Sequence, residues 1–404
     1  MDLQDGRSLT ASPDESEAAR DFDIVTRTQA VADIAAGHAL AVDRDAVFPA
    51  DAIAAAKRNG LMALLVPRAL GGAGASMHVV ADVCYTLGQA CASTAMIIAM
   101  HQAALACVVR HAGTSAWHRD FLARVAKENL LLASSTTEGS GGGNVRSSVA
   151  PLVREGGRLA FARAATVMSY GAEADGIVTT ARRDADASAT DQALVVFLKD
   201  DYKLTPTGGW DTLGMRGTSS AGFALAAEAS EAQILPVGYD KIHPQTMVPI
   251  SHLSWAATWT GIAAAAVSRA QGFVRTAARR ANGVMPPGAQ RCTEAVAELH
   301  SLRGVVAAMI TRYEAIKDDT RALTALETQA ALNLFKVDVS ERAVDVVMLA
   351  MRACGLAGYR NDSDFALGRH LRDVLSSPVM VHNERIRANI ASTALMSGVP
   401  ASLS

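Results

Sequence analysis

The sequence predicts a mostly helical α+β fold: an N-terminal helical domain, a small central β-barrel-like domain and a C-terminal four-helix bundle. Three observations predict it. Up to about residue 130 the apolar residues recur at helical spacing. From 131 to about 235 they fall into short runs divided by Gly, Asp and Asn. From about 247 helical spacing returns in four long stretches. The expected divisions are a mobile tail over 1–20, the α-domain over 21–130, the β-domain over 131–240 and the bundle over 241–404.

In the first region Pro49 occupies a helix-opening position and Gly60 a closing one. The glycine-rich loop Pro67 to Gly74 precedes an Ala/Met/Ile-rich helix running through His101, and Asp120–Glu128 forms a short amphipathic helix. Strands are expected at 131–134, from Leu152, at 176–181, at 193–198 and at 223–225. The bundle helices are Ser251–Arg280, Ala289–Asp318, Ala322–Cys354 and Asp364–Leu395, with Pro286-Pro287-Gly288 breaking the first from the second.

Composition removes several function classes. The 404 residues can bury a large core in two or three units. Lys and Arg number 38 against 40 Asp and Glu, so there is no electrostatic footprint for nucleic acid or an anionic membrane. The stretch Ala92 to Val109 is apolar but carries Ser93, Thr94, His101 and Gln102, and reads as a buried helix. Cys84, Cys91, Cys107, Cys292 and Cys354 lack paired spacing and read as reduced thiols of a cytoplasmic protein. The first twenty residues lack the pattern of a secretory signal. The ten histidines have no ligand spacing, so no metal is expected, and no HExxH, GxSxG, P-loop or dinucleotide fingerprint is present.

Chemistry concentrates in and around the β-region. Ser134 to Asn144 leaves a strand into hydroxyls and glycines, which either present O–H and N–H donors to a phosphate or heteroaromatic edge or form a flexible surface loop. Ala165 to Asp175 carries Ser169, whose hydroxyl either faces a ligand or caps a turn. Gly209 to Ser220 sets Trp210, Asp211 and Arg216 among glycines in a tight turn.

In this order and spacing these segments resemble the acyl-CoA dehydrogenase superfamily. GLMALLVPRALGGAG (Gly60 to Gly74) is similar to the family's "G-L-x-x-L-x-V-P-x-x-x-G-G-x-G", TEGSGGGN to "T-E-P-x-A-G-S-D" and DTLGMRGTSS to "D-x-L-G-M-R-G-S". RACGLAGY (Arg352 to Tyr359) is similar to "Q-x-x-G-G-x-G-Y", and Arg369 to Asp373 to "R-x-x-R-D". The resemblance runs from about residue 45 to 395. It implies a homo-oligomer, tetramer or dimer, with FAD between the β-domain and the C-terminal helices. By position it implies that Ser134, Thr136 and Thr137 line the flavin ring and that Gly142 and Gly143 meet its pyrophosphate. Ser169 stands for a Thr at the flavin N5 edge, and Val167 for a Trp that covers the ring. Arg279 falls near an Arg that reaches a neighbouring subunit's flavin, and Asn383 joins the cofactor-binding set.

The family's reaction removes an α-proton from an acyl thioester while hydride passes to flavin N5, which calls for a carboxylate base. Its usual place, eight residues after the "R-D" Asp, is Val381 here. The second known place, Ile250 to Trp255, also has no carboxylate. Glu384 stands one helical turn beyond Val381 and is the expected base unless it only pairs with Arg385 or Arg387. His382 and His252 are the alternatives. The expected function is FAD-dependent oxidation of an acyl thioester, on CoA or a carrier protein, to its 2-enoyl form, with an electron-transfer flavoprotein as acceptor. The alternative is a two-component flavin monooxygenase on the same fold, fed FMN or another reduced flavin by a reductase. Val167, His101 and His382 fit that alternative.

Overall fold

The computed structural model describes residues 13–138 and 146–396, so Gly142 and Gly143 lie outside the described residues. The N-terminal region contains α1 (Pro13–Asp45), α2 (Ala50–Arg58), α3 (Met77–Ala90), α4 (Ala92–His111) and α5 (Ala116–Glu128). Helix α1 starts at Pro13, inside the stretch expected to be a tail. Pro13 followed by Asp14, Glu15 and Glu17 is a helix-starting composition, because the open N–H groups of a first turn favour acids and tolerate proline. The single helix expected through His101 is two. Cys91 is extended (φ −148°, ψ 113°) and ends α3, and α4 begins at the next residue.

Among the described residues seven strands follow: β1 (Leu132–Ser135), β2 (Val153–Glu155), β3 (Arg158–Ala165), β4 (Gly176–Arg182), β5 (Gln192–Leu198), β6 (Tyr202–Gly208) and β7 (Gly222–Ser230). They form two sheets, β1-β4-β5 and β2-β3-β7-β6, antiparallel except for the β1–β4 pair. Phe161 of β3 stacks on Phe197 of β5 at 5.8 Å and joins the sheets. Strands β4 and β5 are buried along almost their whole length, which explains their continuous apolar runs. Strands β3 and β6 give no such signal. The outward positions of β3 are Arg158, Ala160, Ala162 and Ala164, while β6 is an edge strand carrying Lys203 and Pro206.

The C-terminal region opens with α6 (Tyr239–Ile242) and a π-helical turn (His243–Met247). It continues with α7 (Val248–Arg280), α8 (Ala289–Ile316), α9 (Thr320–Thr324), α10 (Leu326–Cys354), α11 (Leu356–Tyr359), α12 (Gly368–Val374) and α13 (Asn383–Met396). The expected fourth long helix is therefore divided. Val381 and His382 take positive φ (55° and 29°), which a continuing right-handed helix cannot accommodate. One apolar cluster runs from α1 through α3, α4 and both sheets into α7, α8 and α10, so the three regions share a core. Gly88 and Gly261 let α3 and α7 touch: a Cβ at Gly261 would overlap the Tyr85 carbonyl. Among the described residues one helix, α4, is long and apolar enough to cross a membrane, and it lies within this core.

Candidate functional site

A cavity of about 430 Å³ opens where the three regions meet. The end of β1 and the residues after it supply Ser134, Thr136 and Thr137. The segment after β3 supplies Val167, Ser169 and Tyr170, and the 210–220 turn supplies Trp210, Met215, Thr218 and Ser220. Opposite lie Met96, Met100 and Ala103 of α4, then Tyr239 and His243. Met247, Val248, Ser251, His252 and Trp255 follow at the start of α7, and Ser376, Val379, Met380 and Val381 follow α12. One side is thus rich in hydroxyls and the other in thioether and aromatic surface. That division suits a flat heteroaromatic ring, with polar atoms along its edge and apolar faces.

The hydroxyls are ordered. Thr218 Oγ1 donates to the Met215 carbonyl at 2.8 Å and lies 2.8 Å from Ser220 Oγ, which lies 2.8 Å from Ser169 Oγ. A carbonyl oxygen only accepts, and each hydroxyl has one proton. The chain therefore runs Ser169 to Ser220 to Thr218 to Met215, and the Ser169 oxygen turns its lone pairs toward the cavity. The same Met215 carbonyl accepts Trp210 Nε1–H at 3.0 Å, fixing the indole. Arg216 staples the turn through Asp211 Oδ1 (3.1 Å), the Thr212 carbonyl (2.8 Å) and the Asp43 carbonyl (2.8 Å).

Among the described residues no Asp, Glu, Lys or Arg lines the cavity. The two segments outside the described residues after the N-terminus, 139–145 and 397–404, contain no carboxylate in their sequence. Two histidines line it instead. His252 Nδ1 lies 3.2 Å from the Leu332 carbonyl, so that nitrogen carries the proton and Nε2 is an acceptor. Burial pushes His252 down to about 3 and His243 down to about 4, so both are neutral near pH 7. A base that weak positions hydrogen bonds and takes up protons poorly.

The expected ring-lining residues Ser134, Thr136, Thr137, Val167 and Ser169 are all brought to this cavity. The expected base is not. Glu384 lies in the first turn of α13 with its side chain 70% exposed, and accepts from Arg387 Nη1 at 2.6 Å. His382 is exposed outside the cavity. The reach from Val381 to Glu384 presumed an unbroken helix, and the backbone reversal at Val381 and His382 removes it. Asn383 is buried away from the cavity. Its Oδ1 accepts from Lys336 Nζ at 2.6 Å, and its Nδ2 donates to Ser340 Oγ at 2.9 Å. Arg279 is exposed at the end of α7 and does not line the cavity. His101 is a structural residue: its Nδ1 accepts Leu132 N–H at 3.0 Å and its Nε2 donates to the Met62 carbonyl at 2.8 Å.

Tyr239 and His243 were not singled out in the sequence. They sit in the short α6 and the π-turn, which have no periodic signal, although π-turns often mark ligand sites. Trp210, Ser220 and Trp255 fell inside segments recognised for other reasons.

The acyl-CoA dehydrogenase N-terminal domain matches over residues 16–129 and the acyl-CoA dehydrogenase C-terminal domain over residues 245–395. The chain is 25% identical over 370 residues to cyclohex-1-ene-1-carbonyl-CoA dehydrogenase of Geobacter metallireducens, covering 89% of this chain and 93% of that protein. It is 26% identical over 355 residues to amino sugar nitrososynthase DnmZ of Streptomyces peucetius, covering 84% of each. FMN-bound TdsC from Paenibacillus sp. A11-2 superposes with a TM-score of 0.81 at 18% identity, covering 93% of this chain and 98% of that one. The chain belongs to the acyl-CoA dehydrogenase family of flavin-dependent oxidoreductases.

Proposed function

We propose that this enzyme is a flavin-dependent monooxygenase that receives reduced FMN or FAD from a separate reductase and oxygenates a neutral, largely apolar substrate. One observation carries the reading: among the described residues, no carboxylate lines the cavity. Acyl-thioester dehydrogenation needs a base above the α-carbon, and the family's two places for it hold Val381 and the carboxylate-free start of α7. Reduced flavin, when bound, supplies the two electrons that let dioxygen deliver one oxygen atom to substrate and the other to water.

The chain's own residues have defined tasks in this reading. Ser134, Thr136 and Thr137 would hold the polar edge of the ring, and Ser169 would accept one of its N–H groups. Met96, Met100 and Trp255 would keep bulk water from the ring and bind the apolar substrate. His252 Nε2 would orient a substrate hydroxyl or amine. Support of the same kind comes from two relatives, a nitrososynthase and the dibenzothiophene monooxygenase TdsC. Exposed Leu356 and Tyr359 support assembly into a homo-oligomer that covers them.

The second reading, dehydrogenation of an acyl thioester with FAD and an electron-transfer flavoprotein, is favoured by the similarity to the cyclohexenecarbonyl-CoA enzyme. One pair of measurements separates the two. With a flavin reductase, NADH and ¹⁸O₂, neutral aromatic and heteroaromatic probes should yield products carrying one ¹⁸O. Under anaerobic conditions, short, branched, cyclic and long acyl-CoAs should leave bound oxidised flavin unbleached. Bleaching by any of these thioesters overturns the monooxygenase reading in favour of the dehydrogenase.

A further inference from the structure

Arg163 is 4% exposed on an inward position of β3, where the alternating pattern otherwise places Leu159, Phe161 and Ala165. Burying a guanidinium costs more than burying an aliphatic side chain of similar size, so its contacts must account for it. Its Nη1 donates to the Ser135 carbonyl at 2.6 Å, to Thr179 Oγ1 at 2.8 Å and to the Thr180 carbonyl at 2.8 Å. Its Nη2 lies 3.3 Å from Glu138 Oε1, and that carboxylate is 5% exposed. Glu138 in turn accepts from Ser148 Oγ at 2.7 Å and from Val149 N–H at 2.8 Å.

The placement is specific. The β1–β4 ladder ends at the Ser135–Thr179 pair, so beyond Ser135 the chain has no strand partner. There one guanidinium takes over. It hydrogen-bonds the last β1 carbonyl through Nη1 and faces the Glu138 carboxylate as an ion pair through Nη2, and the two residues between are Thr136 and Thr137, both in the cavity wall.

We propose that Arg163, through Glu138, is a positioning residue for the flavin, fixing the Thr136-Thr137 segment so that both hydroxyls face the ring edge. The proposal rests on the flavin reading of the cavity. Arg163 itself does not line the cavity, so it acts through the segment it holds. Pre-placing that segment spares the ordering cost that a free loop would bear on binding.

The test measures flavin affinity and folding together in the full chain. R163K keeps the cation but cannot span the Ser135 carbonyl, the Thr180 carbonyl and Glu138 at once. E138Q keeps the shape but loses the charge. V346A, a truncation in α10 far along the chain from this segment, is the control for general destabilisation. Apo-protein is titrated with FMN and with FAD, following flavin fluorescence and the visible band shape. Thermal unfolding followed by circular dichroism reports folding. R163K and E138Q are expected to fold and to raise the flavin Kd about tenfold with an altered visible band, while V346A lowers the melting temperature without moving the Kd. A Kd change under threefold in R163K overturns the positioning role, and E138Q decides by the same threshold where R163K does not fold. Wild-type protein that takes up neither FMN nor FAD overturns the flavin reading, and this proposal with it.

Discussion

The Met215 amide N–H donates to the Asp373 carboxylate at 2.7 Å, joining residues 158 positions apart. Met215 is left-handed (φ 53°), and its carbonyl is the acceptor that ends the hydroxyl chain and fixes Trp210. One buried acid on α12 thus holds the turn that shapes one wall of the cavity. Gly214 makes the approach possible, because a Cβ there would overlap the Arg372 carbonyl and crowd the Asp373 amide. Gly214→Ala should therefore push the turn off α12 at a cost of about 2–3 kcal/mol. The urea midpoint should fall at unchanged m-value, and flavin affinity should fall with it.

Glu384→Gln should change almost nothing. The carboxylate is exposed, and its contact is a surface pair with Arg387, which also holds Glu341 Oε1 at 2.6 Å. Such pairs contribute about 0–1 kcal/mol. Turnover and flavin affinity should stay within twofold of wild type. A loss of two or more orders of magnitude in turnover would make Glu384 the base and return the enzyme to the dehydrogenases.

These two sites show where the sequence was legible. Asp373 and Gly214 stand in two motifs that carry the family resemblance, and the structure adds what each does there: an acceptor for the Met215 amide and a close approach to the Arg372 carbonyl. Ser134, Thr136, Thr137 and Ser169 were placed by the family resemblance, since their hydroxyls alone fit a surface loop or a turn cap as well as a ligand site. Glu384 was expected at the cavity but lies outside it, because its placement depended on helix continuity. Val381 is β-branched and ordinarily avoids positive φ, so nothing in Val381-His382 announced the reversal that turns Glu384 to solvent. Arg163 was invisible for the opposite reason. A lone arginine among alanines reads as a solvent-facing residue, and the groups that hold it, the Ser135 and Thr180 carbonyls, Thr179 Oγ1 and the Glu138 carboxylate, lie on other segments that a sequence does not bring together.

Acid should destabilise the fold before it affects any catalytic group. Burial pushes His101, His111 and His243 down to about 4 and His252 down to about 3. In the unfolded chain each returns to about 6.5. Between about pH 6.5 and 4 the unfolded chain therefore binds more protons, and stability present above 6.5 is withdrawn as pH falls, by up to about 1.4 kcal/mol per pH unit for each histidine. Asp373 works the other way. Burial raises it to about 6, so it adds stability as pH falls from about 6 toward 3.8, but it is one group against four. Protonating His101 also breaks its acceptance of the Leu132 N–H beside β1. The urea midpoint should be clearly lower at pH 5 than at pH 7, and a midpoint equal or higher at pH 5 would contradict this assignment.

The direction of the hydroxyl chain can be tested through the flavin's redox state. With Thr218 donating to Met215, Ser169 offers lone pairs and suits an N–H, which the reduced ring has at positions where the oxidised ring has bare nitrogen acceptors. Reversing the chain to serve an oxidised ring would leave Thr218 Oγ1 and the Met215 carbonyl 2.8 Å apart without a proton between them. Thr218→Val removes that constraint at nearly constant volume. Ser220 then loses its acceptor at residue 218 and is free to donate to Ser169, which can donate outward. The Met215 carbonyl keeps its bonds from Trp210 Nε1 and the residue 218 amide, so the turn stays in place. The variant should shift binding toward oxidised flavin by roughly the value of one hydrogen bond, about tenfold. For a two-electron couple this lowers the midpoint potential of bound flavin by about 30 mV. Anaerobic redox titration of wild type and Thr218→Val measures it, and a midpoint that stays put or rises would mean that the chain runs the other way.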